Sequence, residues 1–160
     1  MRKIEQLLSE YGESHKNHTN KTIHWICVPT IFFSIVGLIW SIPKGPLGSI
    51  NLGDFTPYVN WATITLILVS IYYFSLSFKL ALGMLVFGVI CLYLCQLLDT
   101  TLPFPLWIFC IGIFIIAWIG QFIGHNIEGK KPSFLKDVQF LLIGPAWLMH
   151  FIFNKLKINY

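Results

Sequence analysis

Charged residues are absent from five long stretches of this chain, 22–43, 55–78, 80–98, 100–127 and 138–154. A helix crossing the hydrocarbon core of a bilayer needs about 20 mostly apolar residues. The first four stretches meet or approach that length and predict spans over 22–42, 58–76, 80–98 and 106–125. Pro29 lies inside the first and is expected to kink or loosen it, and the Gly- and Pro-rich run after Ile42 ends it. Only a few residues around Phe78 separate the second and third, so these two should form a tight helical hairpin. The fifth stretch is 17 residues long and is interrupted by Gly144-Pro145. It predicts two half-helices over 134–153, re-entrant or interfacial, with Lys136 and Asp137 near the start.

Ahead of the first span the pattern changes period. Ile4, Leu7, Leu8, Tyr11 and His15 follow i, i+3, i+4, i+7, i+11 spacing, with Glu5, Glu10, Glu13 and Lys16 mostly off that stripe. This is an amphipathic helix within residues 1–16, suited to a membrane surface or to capping a bundle. Residues 17–20 form a polar turn, and Asn20 is the candidate N-cap of the first span. The predicted fold is all-α: a polytopic membrane bundle of four transmembrane helices, an N-terminal amphipathic helix and a C-terminal re-entrant or interfacial segment, in one domain over 1–160. The first 21 residues lack an apolar leader core, so the first span is expected to act as an uncleaved signal-anchor.

Composition agrees with this pattern. The chain has 56% hydrophobic, 16% aromatic and 11% charged residues. Such a sequence is neither disordered nor a basic nucleic-acid module, and it has too much apolar surface for an ordinary soluble domain. The net charge of +4 reads as topology. With four spans and both termini inside, ten of the eleven basic residues fall inside and only Lys44 outside, as the positive-inside rule favours. Cys27, Cys91, Cys95 and Cys110 all lie in apolar stretches without a zinc or CxxC pattern, and are expected to be packing residues.

Chemistry concentrates at the inner end. His15, His24 and His125 fall on the same cytoplasmic side in this topology, which was chosen without them. Gln121 and His125 share a helix face, Glu128 follows one turn later, and Gly120 and Gly124 allow a close helix approach. Imidazole is the commonest metal ligand. The three histidines, with Gln121 and Asn17 near, form a candidate metal site; the competing reading leaves each at the headgroup interface. Tyr11, one turn before His15, could donate a hydrogen bond to a ligand or substrate. His18 sits in the polar turn, and His150 is expected to pair locally.

Two segments resemble a known family. Tyr11, His15, Asn17, Asn20, His24 and Pro29 match Y-x3-H-x-N-x2-N-x3-H-x4-P, and Trp118, Gln121, Gly124 and His125 match W-x2-Q-x2-G-H, with Glu128 and Pro132 downstream. These are motifs of the 2-hydroxy fatty acid dioxygenases typified by a yeast endoplasmic reticulum enzyme; the spacing to Glu128 is one residue tighter here. The resemblance implies an Fe(II)-dependent, O2-using membrane enzyme of fatty acid α-oxidation that shortens a 2-hydroxy fatty acid by one carbon. It implies His15, His24 and His125 as iron ligands. Tyr11, Asn17, Gln121 and Glu128 are then candidate catalytic positions, and Asn20 and Lys131 candidate substrate contacts. The acyl chain is expected to stay in lipid while the polar head reaches the metal. Partners would be the 2-hydroxy acid, O2 and membrane lipid, with no nucleic acid; a homo-oligomer is compatible with such a bundle. The host would be a bacterial inner membrane or the endoplasmic reticulum. Competing functions are another metal-dependent lipid enzyme, such as a zinc hydrolase, and a non-catalytic membrane protein.

Overall fold

A computed structural model describes residues 2–131 and 139–158, whose regular structure is helical with no strand among them. Six α-helices follow in order: α1 (Lys3–Gly12), α2 (His18–Trp40), α3 (Trp61–Leu76), α4 (Phe78–Thr101), α5 (Leu106–Glu128) and α6 (Gln139–Lys155). Two short 3-10 turns, Gly45–Ser49 and Gly53–Tyr58, bridge α2 to α3. Pro132 of the second motif, and Lys136 and Asp137 near the start of the predicted last segment, lie outside the described residues.

Local chemistry accounts for most boundaries. The Asn17 side chain accepts from the backbone N–H groups of Thr19 at 2.9 Å and Asn20 at 3.3 Å, and so caps α2. The cap is therefore Asn17 and not Asn20, and α2 begins at His18, four residues before the expected start. Asn17 has the extended backbone an N-cap requires, whereas Asn20 is already helical and its side chain is buried. Asn60 caps α3 in the same way, accepting from Thr63 N–H at 3.1 Å. Ser77 alone separates α3 from α4, with an extended backbone that reverses the chain into the expected hairpin. Gly129 ends α5 at φ 71°, a left-handed cap that glycine adopts without a Cβ clash. α1 stops at Gly12, short of residue 16, and residues 13–17 turn the chain into α2.

Among the described residues, three helices are long and apolar enough to cross a membrane: α2, α4 and α5. α3 is apolar but only 16 residues long, so the four-span expectation holds in full length for three of its helices. The chain reads as a membrane protein from its surface as well. α3 exposes Ile67, Leu68 and Ile71, α4 exposes Val86 and Val89, and α5 exposes Ile115, Ile116 and Ile119. A water-facing surface would not carry so many large apolar side chains side by side.

The last element corrects the sequence reading. α6 is one continuous helix through Pro145, not two half-helices. An interior proline costs a helix about 3 kcal/mol. Here that cost is offset by burial of Ile143, Ala146, Trp147 and Leu148, which pack with Ile4, Leu8 and Tyr11 of α1 and Leu80, Ala81 and Met84 of α4. The Tyr73 hydroxyl donates to the Leu142 carbonyl at 2.7 Å, within the turn that Pro145 loosens. α2 likewise runs unbroken past Pro29. Together α1 and α6 close the end of the bundle where α2 and α4 begin and α3 and α5 finish.

α2 and α5 form the most extensive helix pair and run antiparallel. Small residues set their separation. A Cβ on Gly37 would lie 2.3 Å from the Cys110 sulfur, one on Gly120 2.7 Å from the Cys27 sulfur, and one on Gly124 2.4 Å from Asn20 Oδ1. All four cysteines are buried and unpaired as disulfides.

Candidate metal centre

His15 follows the last turn of α1, His24 sits in the second turn of α2, and His125 lies one turn before the end of α5. The close α2–α5 approach at Gly124 and the turn at 13–17 bring all three together. Their ring centroids are 4.2 Å apart for His15 and His24, 5.0 Å for His15 and His125, and 4.9 Å for His24 and His125. One nitrogen from each ring falls within 4.8 Å of the others. Relative exposure is 1% for His15, 0% for His24 and 3% for His125.

The hydrogen bonds orient two of these rings. His15 Nδ1 lies 2.6 Å from the Tyr11 carbonyl, and His24 Nδ1 lies 2.9 Å from the Asn20 carbonyl. A carbonyl only accepts, so in each ring the Nδ1–H donates and Nε2 carries the lone pair of the neutral form. Those two Nε2 atoms and His125 Nδ1 are buried with no hydrogen-bond partner. Three orphaned imidazole nitrogens in one buried spot are unfavourable unless something accepts them. A metal ion does so, and the anchored opposite nitrogens are what ligating histidines normally show. Burial pulls the His15 imidazole down to about 4, against the opposing effect of the Tyr11 carbonyl. The ring is therefore neutral at ordinary pH and able to ligate. With no carboxylate in the set, three protein nitrogens leave coordination positions open, and imidazole suits iron, zinc, copper or nickel.

The surrounding residues divide by what they touch. Tyr11 stacks on His15 at 4.3 Å, with rings 11° from parallel, and burial raises its phenol well above the usual range. Asn17 is the α2 cap. Asn20 holds His24 through its carbonyl, and its side-chain nitrogen donates to the Ser14 carbonyl and to Glu128, each at 3.1 Å. Glu128 lies outside the histidine set. Its carboxylate accepts from the backbone N–H groups of Lys16 and Asn17, both at 2.8 Å, as well as from Asn20. It therefore clamps the α1–α2 turn to the end of α5. Lys131 is exposed beyond that end, while Lys130 donates to the Glu13 carbonyl at 2.8 Å. His18 is exposed, and His150 accepts from Asn154 at 2.9 Å, both away from the cluster.

Gln121 is buried one turn before His125 and lines a cavity with it and Tyr11. Sequence reasoning missed Trp147, whose ring lies 5.1 Å from His15 and 5.4 Å from Tyr11 and covers the cluster from α6. It also missed Gly144, where a Cβ would approach the Tyr11 hydroxyl to 3.0 Å. The available signal was Trp147 itself, a bulky aromatic two residues beyond the Gly-Pro pair.

Comparison with known proteins adds a second line of observation. A family model described as 2-hydroxy-palmitic acid dioxygenase Mpo1-like matches residues 1–156. The 2-hydroxy-palmitic acid dioxygenase MPO1 of Saccharomyces cerevisiae is 33% identical over 157 residues, covering 92% of this chain and 78% of its own. No solved structure matches.

Proposed function

The chain belongs to the Mpo1-like family of 2-hydroxy-palmitic acid dioxygenases, and from that premise we propose that it is an Fe(II)-dependent dioxygenase of fatty acid α-oxidation. It uses O2 to convert a 2-hydroxy fatty acid to a fatty acid one carbon shorter. The observation that carries this reading is the set of three buried, partnerless imidazole nitrogens on His15, His24 and His125.

Those three side chains would hold the iron, which supplies the redox chemistry with O2 and a Lewis-acid anchor for the substrate's carboxylate and hydroxyl. The remaining work falls to this chain's own residues. The Tyr11 and Asn20 carbonyls keep His15 and His24 in the ligating tautomer. Tyr11, at its raised pKa, remains a phenol and can donate a hydrogen bond to the bound head group. Gln121 offers an amide to the cavity beside His125. Glu128 and Asn17 fix the α1–α2 turn that carries His15. Lys131 attracts the carboxylate from outside. Trp147 and the α1–α6 layer exclude water from the cluster.

The reading also covers placement. The N-terminus and the site face the cytoplasm, α3 completes a fourth span with its lipid-facing Ile67, Leu68 and Ile71, and residues 1–160 act as one domain.

Protein purified without oxygen should contain about one iron per chain and consume O2 on addition of 2-hydroxypalmitate. Zinc in place of iron with no O2 uptake would replace this reading with a hydrolytic one.

A further inference from the structure

Beside the histidine cluster lies a cavity of about 130 Å³ with a polar and an apolar end. Of its polar lining, Tyr11, Gln121 and His125 gather at the cluster, while the Thr65 hydroxyl is bonded to the Trp61 carbonyl of its own helix. From there one face of α2, made by Val28, Ile31, Phe32, Ile35, Val36 and Ile39, walls it at i, i+3, i+4, i+7, i+8, i+11 spacing. Residues 28–39 span about 16 Å along a helix. Leu66 and Val69 of α3 and Phe140 and Leu141 of α6 form the opposite walls, and Ile39 and Thr65 stand at the far end.

We propose that this cavity is an acyl chamber: the substrate's hydrocarbon chain lies inside the protein along α2, and Val36, Ile39 and Thr65 set the length it accepts. The proposal rests on the functional reading above for the identity of the head group. Three observations argue for an acyl chain. The cavity is long and apolar, which suits an unbranched hydrocarbon. Tyr11, Gln121 and His125 gather at the cluster end, and the Thr65 hydroxyl at the far end is already bonded within α3, which suits a ligand with one polar head. It is continuous with the metal cluster through His125, so a head group at the cluster places its chain there. This differs from a chain left in the surrounding lipid, where no residue of the bundle interior would select its length.

The test uses the full chain in phospholipid nanodiscs and a 2-hydroxy fatty acid with a photoreactive group at its methyl end. Expected labels fall on the cavity-lining Val36, Ile39, Thr65, Leu66 and Val69, and excess 2-hydroxypalmitate removes them. Labels only on lipid-facing Ile26, Ile67 or Leu68, or labels that excess substrate does not remove, overturn the chamber. The second measure is chain-length preference. Val36→Phe should reduce kcat/KM for long 2-hydroxy acids at least 10-fold, leave short ones within about 3-fold, and remove the label at Thr65 and Leu66. Ile39→Ala should shift the preference toward longer chains. Equal effects on every length, with metal content unchanged, overturn the proposal. Turnover without competed labelling inside the cavity leaves the dioxygenase standing and removes the chamber. Competed labelling without O2-dependent turnover does the reverse.

Discussion

Three side chains form the proposed metal centre, and His15 and His24 are each held by a backbone carbonyl that leaves one ring nitrogen free. Replacing His15, His24 or His125 by Ala should abolish bound iron and O2 uptake together, as metal analysis and an oxygen electrode would show. The burial of His15 also predicts a pH effect in metal-free protein. Its folded pKa, about 4, lies below the ordinary 6.5. Between those values the unfolded chain takes a proton that the folded chain refuses. Stability is therefore full above about pH 6.5 and falls as pH drops toward 4. The melting temperature of chelator-treated protein should decline across that range, and His15→Asn should make the decline shallower. The three histidines were legible in the sequence because each sits where an apolar run meets polar residues. Trp147 was not, since its place over His15 depends on how α6 packs and no local pattern records that.

At the scale of elements, the centre depends on how closely α2 and α5 approach and on the clamp between their ends. Gly124→Ala would set a methyl group 2.4 Å from Asn20 Oδ1. Asn20 must then shift, and with it the carbonyl that orients His24. Iron affinity should fall about 10–100-fold, the usual effect of disturbing a ligand's support, measured by competition with a chelator. Glu128→Ala removes the acceptor of two backbone N–H groups and of Asn20. Charge-assisted hydrogen bonds are worth about 1.5–3 kcal/mol each when buried and less where water can substitute. The melting temperature should drop and iron should bind more weakly while its ligands remain intact. Helix positions were readable from charge-free stretches, but the course of α6 was not. A proline rule is local, whereas the burial of Ile143, Ala146 and Trp147 that carries the helix through Pro145 is tertiary. The cap at Asn17 was misplaced for a related reason: both asparagines have the right chemistry, and the backbone decides between them.

For the whole molecule, the proposed orientation can be read from opposite ends. Lys44→Cys should react with an impermeant thiol reagent from outside intact cells, and Lys155→Cys should react only after permeabilisation. The reverse pattern would turn the centre to the outer face. The cavity was invisible in the sequence because helices distant along the chain build it, yet α2's share of its wall lies at regular helical spacing. That spacing was masked because α2 is apolar all round: one face meets α5, another the cavity and another the lipid.

The histidines of the cluster are spread unevenly along the chain. His15 and His24 emerge from the ribosome first, and His125 follows more than a hundred residues later. At synthesis rates of about 5–20 residues/s that gap lasts about 5–20 s. Throughout it the first two imidazoles have no third ligand, and the turn between α1 and α2 lacks the Glu128 carboxylate that will hold it. Under the proposed function metal capture is a late event in biogenesis, dependent on the arrival of α5, and a chain truncated before residue 125 should be released without iron and be a ready substrate for membrane proteolysis.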